Sequence, residues 1–295
     1  MRITQTMLSN NMLRNLMNSQ VKMDKYLEQL YTEKKIRRPS DDPVIAMKGM
    51  GYRTEVIEVE QYKRNVSEMH NWMDNTDAAL DKATKAMHRL SELAVQASNA
   101  PYGSEERNSI KEEAEQLRDH LIDIANTKVS GKYIFNGTST NEEPIKVDEN
   151  GHITSYPNDT VPVMIEVFKD VTLQANVSPE EVFNQELFDN INNFIADLDD
   201  SDKVDELSNH IDTLEDSTIN IVNARADLGA RMNRLELVEH RLDEQEIIAT
   251  RTMSNNEDVH FEEAITNLIT QESLHRAALA AGSRIIQPTL VDFLR

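Results

Sequence analysis

The stretch "VEQYKRNVSEMHNWMDNTDAALDKATKAMHRLSELAVQAS", residues 59–98, has the most regular pattern in the chain. Apolar side chains recur there at alternating steps of three and four, and only Thr76 is polar. A seam sustained over five heptads predicts a long helix with a coiled-coil partner surface of roughly 60 Å, at about 1.5 Å per residue. The seam positions are Val59, Tyr62, Val66, Met69, Met73, Thr76, Leu80, Ala83, Met87, Leu90, Ala94 and Ala97.

The same spacing continues in two other segments. After a break at Pro101–Gly103 it passes through Ile110, Ala114, Leu117, Leu121 and Ile124. Later, six apolar residues lie one heptad apart, at Leu207, Leu214, Ile221, Leu228, Leu235 and Leu242, in a seam that Arg225 dilutes. We therefore expect residues 43–132 and 205–253 to form the N-terminal and C-terminal halves of a helical bundle.

An elbow precedes the long helix, in the sequence "RRPSDDP" at residues 37–43. The first helix should end near Lys35 or Ile36, because proline disfavours helical torsions before it and has no N–H to donate. Ser40, Asp41 and Asp42 can cap a second helix, with Pro43 in its first turn. The elbow residues are thus Arg38, Pro39, Asp41, Asp42 and Pro43, and the inner helix with its elbow spans residues 1–42.

Both ends of the chain are apolar, although chain termini are usually polar and frayed. The first helix has a narrow seam, and a last helix over residues 254–295 ends in an apolar tail. Two short helices alone bury too little surface to be stable, which favours burial between subunits. The predicted subunit-interface residues are Met7, Leu13, Leu16, Leu27, Leu30, Leu268, Leu274, Ile285, Leu290, Phe293 and Leu294.

A change of period marks residues 133–178. "IKVDENGHITSY" alternates apolar and polar residues around Asn150-Gly151, a dipeptide that suits a two-residue hairpin turn, and β-branched runs follow. We predict a small β-rich outer insertion there, then a helical and acidic connection over residues 179–204, with Asp197–Asp205 solvated. The expected fold is mainly α, an elongated helical bundle or coiled coil of paired N- and C-terminal segments with this insertion.

Composition restricts the function. The chain has 31 basic and 52 acidic residues, a formal charge of −21, which argues against partners such as nucleic acid or an anionic membrane. Cysteine is absent, so neither disulfides nor thiol-ligated metal sites hold the fold, and the amino terminus lacks the apolar run of a cleavable signal. Histidines are scattered without metal-ligand spacing, and helix caps or solvated loops explain the paired aspartates. We predict no catalytic residues, no metal and no cofactor.

Several motifs resemble the flagellin superfamily, in particular its members at the hook-filament junction. They include "KKIRRPSDDPVIA" (34–46), "LSELAVQASN" (90–99), "NARADLGARMNRLE" (223–236) and "RIIQPTLVDFL" (284–294), and the likeness covers about residues 1–138 and 205–295. The Arg-Pro-Ser-Asp-Asp-Pro form at residues 38–43 is typical of the junction members. The sequence departs from the usual pattern at Glu33, where glycine is common, and at Arg37, where asparagine is common.

The resemblance implies a non-enzymatic structural subunit that is exported unfolded by the flagellar type III apparatus and located at the hook-filament junction. Its implied partners are hook-associated protein 1, flagellin, copies of itself in a ring and a flagellar export chaperone. The terminal helices would form an inner layer, the bundle a layer outside it, and the insertion the outer surface. The alternatives are a minor flagellin that forms filaments and a cytoplasmic signalling coiled coil, which would lack both the β insertion and the apolar carboxyl terminus.

Overall fold

The computed structural model describes residues 5–98, 104–148, 153–156, 161–198 and 204–285. Three long helices lead from the N-terminus: α1 (Gln5–Thr32), α2 (Pro43–Ser98) and α3 (Ser104–Ala125). Six short strands follow: β1 (Lys128–Val129), β2 (Lys132–Tyr133), β3 (Lys146–Val147), β4 (Ile153–Ser155), β5 (Met164–Phe168) and β6 (Val171–Gln174). The remaining helices are α4 (Pro179–Val182), α5 (Gln185–Asp197), α6 (Val204–Glu257) and α7 (Phe261–Ile285). The mainly helical fold with a small strand-containing insertion is confirmed.

The chain divides into two compact units. Unit 1 comprises residues 1–58 and 245–295, and unit 2 comprises residues 59–244. Helices α2 and α6 contribute residues to both.

Unit 2 contains the hydrophobic core that the heptads predict. Every predicted seam position of α2 is buried except Tyr62, which is half-buried, and the six heptad positions of α6 are fully buried. The buried Thr76 hydroxyl donates to the Trp72 carbonyl oxygen at 2.8 Å, so the one polar seam residue is satisfied within its own helix. Arg225 leaves the seam for the solvent side, where its guanidinium binds Asp77 and Asp81 of α2 at 2.7–3.2 Å.

The strands of the described residues form three separate antiparallel pairs: β1 with β2 over residues 128–133, just before most of the predicted insertion, and β3 with β4 and β5 with β6 within it. The β1–β2 turn is Ser130-Gly131, both at positive φ, as a two-residue hairpin requires. The predicted turn at Asn150-Gly151 lies outside the described residues, but the strands on either side of it do pair. The insertion shares its core with the helices: the Phe135 ring packs edge-on against Phe183, with centroids 4.9 Å apart.

Helix α5 is a core element of unit 2. Its residues Leu187, Phe188, Ile191, Phe194 and Ile195 are buried, and it packs on α3. The expectation that Asp197 is solvated was wrong: its carboxylate is largely buried, 2.8 Å from His210 Nε2 on α6. A buried carboxylate with a histidine partner avoids the cost of an unpaired charge.

The first helix ends at Thr32, earlier than the predicted Lys35 or Ile36. Glu33 adopts a left-handed conformation with φ of 59°, which terminates the helix as a C′ residue usually does. The backbone of the following residues is then free to bind another segment of unit 1.

Candidate assembly surface and elbow

Helices α1 and α7 pack against each other in unit 1 in antiparallel orientation. The Gln271 side-chain amide donates to Ser19 Oγ at 2.8 Å. Near the end of α7, a Cβ atom on Gly282 would lie only 1.3 Å from Met12 Cε, so glycine permits the close approach of the two helices. The first and last helices of the described residues therefore meet, as the symmetry of the sequence pattern suggested.

This pairing leaves most apolar side chains of unit 1 uncovered. Among the described residues, Ala249 and Ala264 are the only apolar residues of unit 1 that are buried, whereas unit 2 holds the whole hydrophobic core cluster. We call the exposed large apolar residues of α1 and α7 the assembly surface. They are Met7, Leu8, Leu13, Met17, Val21, Leu27 and Tyr31 on α1, and Phe261, Ile265, Ile269, Leu274 and Leu279 on α7. So many large apolar side chains exposed on two paired helices indicate an interaction site.

The predicted interface residues fall into three groups. Met7, Leu13, Leu27 and Leu274 are exposed and belong to the assembly surface, whereas Leu16, Leu30 and Leu268 are half-buried. Ile285 is the last residue of α7, with a side chain that is not described, and Leu290, Phe293 and Leu294 lie outside the described residues. Their role between subunits stays a prediction.

Two adjacent aspartates hold the elbow, one by binding backbone amides that follow it and the other by binding amides that precede it. Asp42 Oδ1 accepts hydrogen bonds from the Val44 and Ile45 amides at 2.9 and 3.1 Å and so caps α2, whose first residue is Pro43. Asp41 Oδ2 instead accepts from the Arg38 and Arg37 amides at 2.9 and 3.1 Å. These amide donors hold the pKa of Asp41 below its ordinary value.

Pro39 lies inside the turn that Asp41 closes. The Asp41 amide donates to the Arg38 carbonyl oxygen at 3.0 Å, which makes Arg38–Asp41 a hydrogen-bonded turn with proline in its second position. The predicted capping of α2 and the break before it are both confirmed in the described geometry.

The residues between α1 and the elbow bind the second joint of the chain, between α6 and α7. The Lys35 amide donates to the Glu257 carbonyl oxygen at 2.7 Å, and the Val259 amide donates to the Glu33 carbonyl oxygen at 2.9 Å. These bonds frame an antiparallel bridge between Lys34 and Asp258, and Lys34 Nζ also lies 2.6 Å from Asp258 Oδ1. Two breaks that are more than 200 residues apart in sequence thus form one structure, which we call the clasp (residues 33–35 and 257–259).

Glu257 is the buried charge of the clasp. The residue is only 5% exposed, and its Oε2 lies 2.6 Å from Arg53 Nη2 and 3.7 Å from Lys34 Nζ. The hydrogen bond to Glu257 raises the pKa of Arg53. On the other side, a Cβ atom at Gly49 would lie 2.6 Å from Glu257 Oε1, so a side chain at this position would displace the carboxylate. Sequence reasoning missed the clasp, and Gly49 within an otherwise regular helix was the available signal.

Burial raises the pKa of Asp258, but the hydrogen bonds from Lys34 and Ser254 outweigh it, so the net shift is downward.

Among the described residues, no three or more histidine or acidic side chains are grouped as a metal site would require. In the same part of the chain, no helix combines the length and apolarity needed to cross a bilayer.

Comparison with known proteins places these features in a family. Residues 3–140 match the family model of the bacterial flagellin N-terminal helical region, and residues 211–294 match that of the flagellin C-terminal helical region, so the two models together cover well over half of the chain. Paired helices near the two ends of the chain, together with a helical bundle in unit 2, define the class, a structural subunit of a bacterial flagellum. The chain belongs to the flagellin family.

Within that family, the flagellar hook-associated protein 3 of Escherichia coli (strain K12) is 27% identical over 94% of each chain. A solved flagellar hook-associated protein 3 from Legionella pneumophila has the same fold, with a TM-score of 0.64 at 17% identity over 69% of this chain and 97% of that chain. A flagellin of Treponema pallidum is 28% identical but covers 78% of this chain and 77% of that protein. The likeness over nearly the full length favours the hook-associated proteins over a minor flagellin, and the family sets aside the signalling coiled coil.

Proposed function

We propose that this protein is the adapter subunit of the hook-filament junction, on which flagellin polymerises after export through the flagellar type III apparatus. One observation supports the proposal most directly. Unit 1 exposes large apolar side chains along both α1 and α7 and has almost no buried core of its own among its described residues, in a chain of the flagellin family. Such a unit is completed by neighbouring subunits in an assembly.

In this proposal, residues 1–42 and 254–295 form the inner layer of the ring, residues 43–132 and 205–253 the bundle, and residues 133–178 the outer surface. Residues 179–204 connect the insertion to the bundle, and α5 within them belongs to the core of unit 2. Hook-associated protein 1 would bind on the hook side, flagellin on the filament side, and other copies of the chain around the ring. An export chaperone would cover the apolar surface before assembly.

The energetics suit a subunit that is ordered by its neighbours. Each leucine of the assembly surface would contribute about 1.5–3 kcal/mol on going from full exposure to full burial. Fixing one backbone residue costs about 1–2 kcal/mol, so a few leucines cannot stabilise a separate helix of this length. Several contacts from more than one neighbour are needed, which makes ordering of the inner layer depend on assembly.

The elbow and the clasp would set the direction of the inner layer. Asp41 and Asp42 stop one helix and start another, while Lys35 and Glu257 tie the two joints together through backbone hydrogen bonds. A joint fixed in this way lets the inner helices keep one direction and the bundle another when the hook and the filament impose different lattices on the ring.

Deletion of the gene in its own bacterium tests the proposal. We expect hooks without filaments by electron microscopy and flagellin shed as monomer into the medium, with both defects corrected by the wild-type gene. Normal filaments in the deletion strain would refute the adapter role. Long filaments formed by the purified protein alone would instead assign it as a minor flagellin.

A further inference from the structure

The first part of α2 has a second apolar seam, on its exposed face and within unit 1. Met47, Met50, Thr54 and Ile57 follow one another at steps of three, four and three, which is the spacing of a coiled-coil seam. The three larger apolar side chains are 60–67% exposed, and Thr54 is exposed as well. The Thr54 hydroxyl already donates to the Met50 carbonyl oxygen at 3.0 Å, so it needs no further partner. We call these four residues the outer seam.

Helix α6 exposes an apolar pair in the same unit. Ile247 and Ile248 are 59% and 61% exposed, whereas the next residue, Ala249, is buried. Arg251 lies one helical turn from both isoleucines and is exposed. It has no ion-pair partner among the described residues. We call Ile247, Ile248 and Arg251 the α6 edge.

The outer seam and the α6 edge lie at the same distance from the clasp. Helix α2 begins and α6 ends beside the clasp, where Gly49 and Glu257 are in contact. Thr54 is five residues after Gly49 and Arg251 is six residues before Glu257, so they lie about 7.5 and 9 Å along the two helices from this contact. At roughly 100° per residue, they are turned by about 140° and 120° from it, so the two side chains point away from each other. Copies placed side by side in a ring therefore bring the outer seam of one to the α6 edge of the next.

The two surfaces carry opposite charges that are not compensated within the chain. Glu55 and Glu58 are exposed on α2, and neither has an ion-pair partner in the part of the chain that the structure describes. The nearby Arg53 is bound to Glu257 at 2.6 Å and does not neutralise them. On α6, no other lysine or arginine lies within five residues of Arg251. An acidic apolar seam thus faces one side of the unit, and a basic apolar edge faces the other.

We propose that the outer seam of one copy packs against the α6 edge of the next copy in the ring, with Arg251 beside Glu58. This inference rests on the proposed function, because it assigns a contact between neighbouring copies of the adapter. Two different surfaces of each chain meet at one level, so the contact is heterologous and repeats from copy to copy until the ring closes. Two copies of charge −21 repel each other overall, and a local meeting of opposite charges fixes where they approach.

Cysteine crosslinking in the living bacterium tests the contact, because the sequence contains no cysteine. Thr54→Cys and Ile248→Cys are introduced singly and together, and filament-bearing cells are treated with a short bismaleimide. The double variant should give a ladder of covalent oligomers, and co-expression of the two single variants should give dimers. Either single variant expressed alone should give only monomer.

Thr54→Cys with Thr250→Cys is the matched control. Thr250 is exposed and only two residues from Ile248, but it lies about 200° around the helix. This pair should give no ladder. A crosslink within one chain adds no second chain, so the ladder reports contacts between copies.

Charge reversal provides a second readout that needs no cysteine. Arg251→Glu should lower the fraction of cells with filaments several-fold, because it places a carboxylate beside Glu58 at each contact in the ring. Addition of Glu58→Arg should restore the filaments, because the reversed pair attracts again.

The inference is overturned if filament-bearing cells of the double cysteine variant give no ladder, or if the Thr250 control gives an equal one. If the cysteine variants themselves abolish filaments, the charge reversal decides: the inference is overturned unless Glu58→Arg restores the filaments that Arg251→Glu removes. Failure of the proposed function is a different result, since it requires normal filaments in the deletion strain.

Discussion

Replacing two leucines of the assembly surface by aspartate should block assembly while the isolated protein remains folded. Leu27 on α1 and Leu274 on α7 are 51% and 57% exposed, so about half of each side chain remains to be covered by neighbours. At about 1.5–3 kcal/mol for complete burial, the uncovered half is worth about 0.8–1.7 kcal/mol per leucine. An aspartate buried in its place adds an unpaired charge that costs several kcal/mol. The double variant should therefore lose about 5 kcal/mol or more per subunit in assembly, more than about a thousandfold in an association constant.

The isolated chain should lose much less. The covered half of the two leucines is worth about 1.5–3 kcal/mol in total, and this loss is confined to unit 1. Unit 2 should unfold as before, because neither leucine belongs to its core. Trp72, the single tryptophan, lies buried in unit 2 and reports its unfolding in urea by fluorescence.

Two variant strains and two purified variants complete the assay. Filament formation and swimming are scored in a deletion strain that carries Leu27→Asp with Leu274→Asp, and secretion of the variant into the medium verifies export. Leu237→Asp is the control, since Leu237 is 71% exposed but belongs to unit 2, and it should leave filaments intact. Leu228→Ala, at a fully buried seam position, should shift the Trp72 transition by about 2–5 kcal/mol. The reasoning is refuted if the double variant shifts that transition as far as Leu228→Ala, or if its filaments are normal.

Further predictions concern the elbow. Gly49→Ala should destabilise unit 1 by about 1–3 kcal/mol, because the new Cβ would meet Glu257 Oε1 at 2.6 Å and disturb a buried carboxylate. Gly51→Ala, where a Cβ atom has open space, should instead stabilise the helix by up to about 1 kcal/mol. Thermal unfolding of the two variants measures the difference. Glu33→Gly should relieve a left-handed conformation that costs a non-glycine residue about 1–2 kcal/mol, and slower hydrogen exchange at the clasp would show it. The pKa of Asp41 is lower in the folded protein than in the unfolded chain. Its contribution to stability should therefore be complete above the unfolded-state pKa of about 3.9 and be lost as the pH falls through the folded-state pKa. Asp41→Asn should remove this part of the acid dependence of hydrogen exchange at the elbow amides.

Local periodicity was enough to predict the long helices of unit 2 and the part of its core that α2 and α6 contribute. The heptads of α2 and α6 bury the residues that the sequence picks out, because a seam repeated every 3.5 residues keeps one face toward a partner helix. The capping of α2 was also predictable, since Asp42 bonds amides only two and three residues away. Features that depend on residues near in sequence are therefore accessible without a structure.

Features that depend on distant residues were not. Asp197 was expected in solvent because acidic residues surround it, yet a histidine on the following helix pairs with it. The clasp joins Lys35 to Glu257, and neither residue carries a local pattern that specifies the other. Periodicity tells which face of a helix is buried, but it contains no information about which segment covers that face or which backbone groups meet at a joint.

The hydrophobic core is distributed unequally between the two units, so one chain can both fold alone and gain stability from its neighbours. Unit 2 encloses large apolar side chains, so it can fold before any neighbour is present. Unit 1 leaves many of its large apolar side chains exposed, and the contacts between its described helices include the close approach at Gly282 and the hydrogen bond at Gln271. A unit that buried those side chains internally would have no free energy left to gain from neighbours, so the weakness of unit 1 in isolation is what makes its assembly favourable.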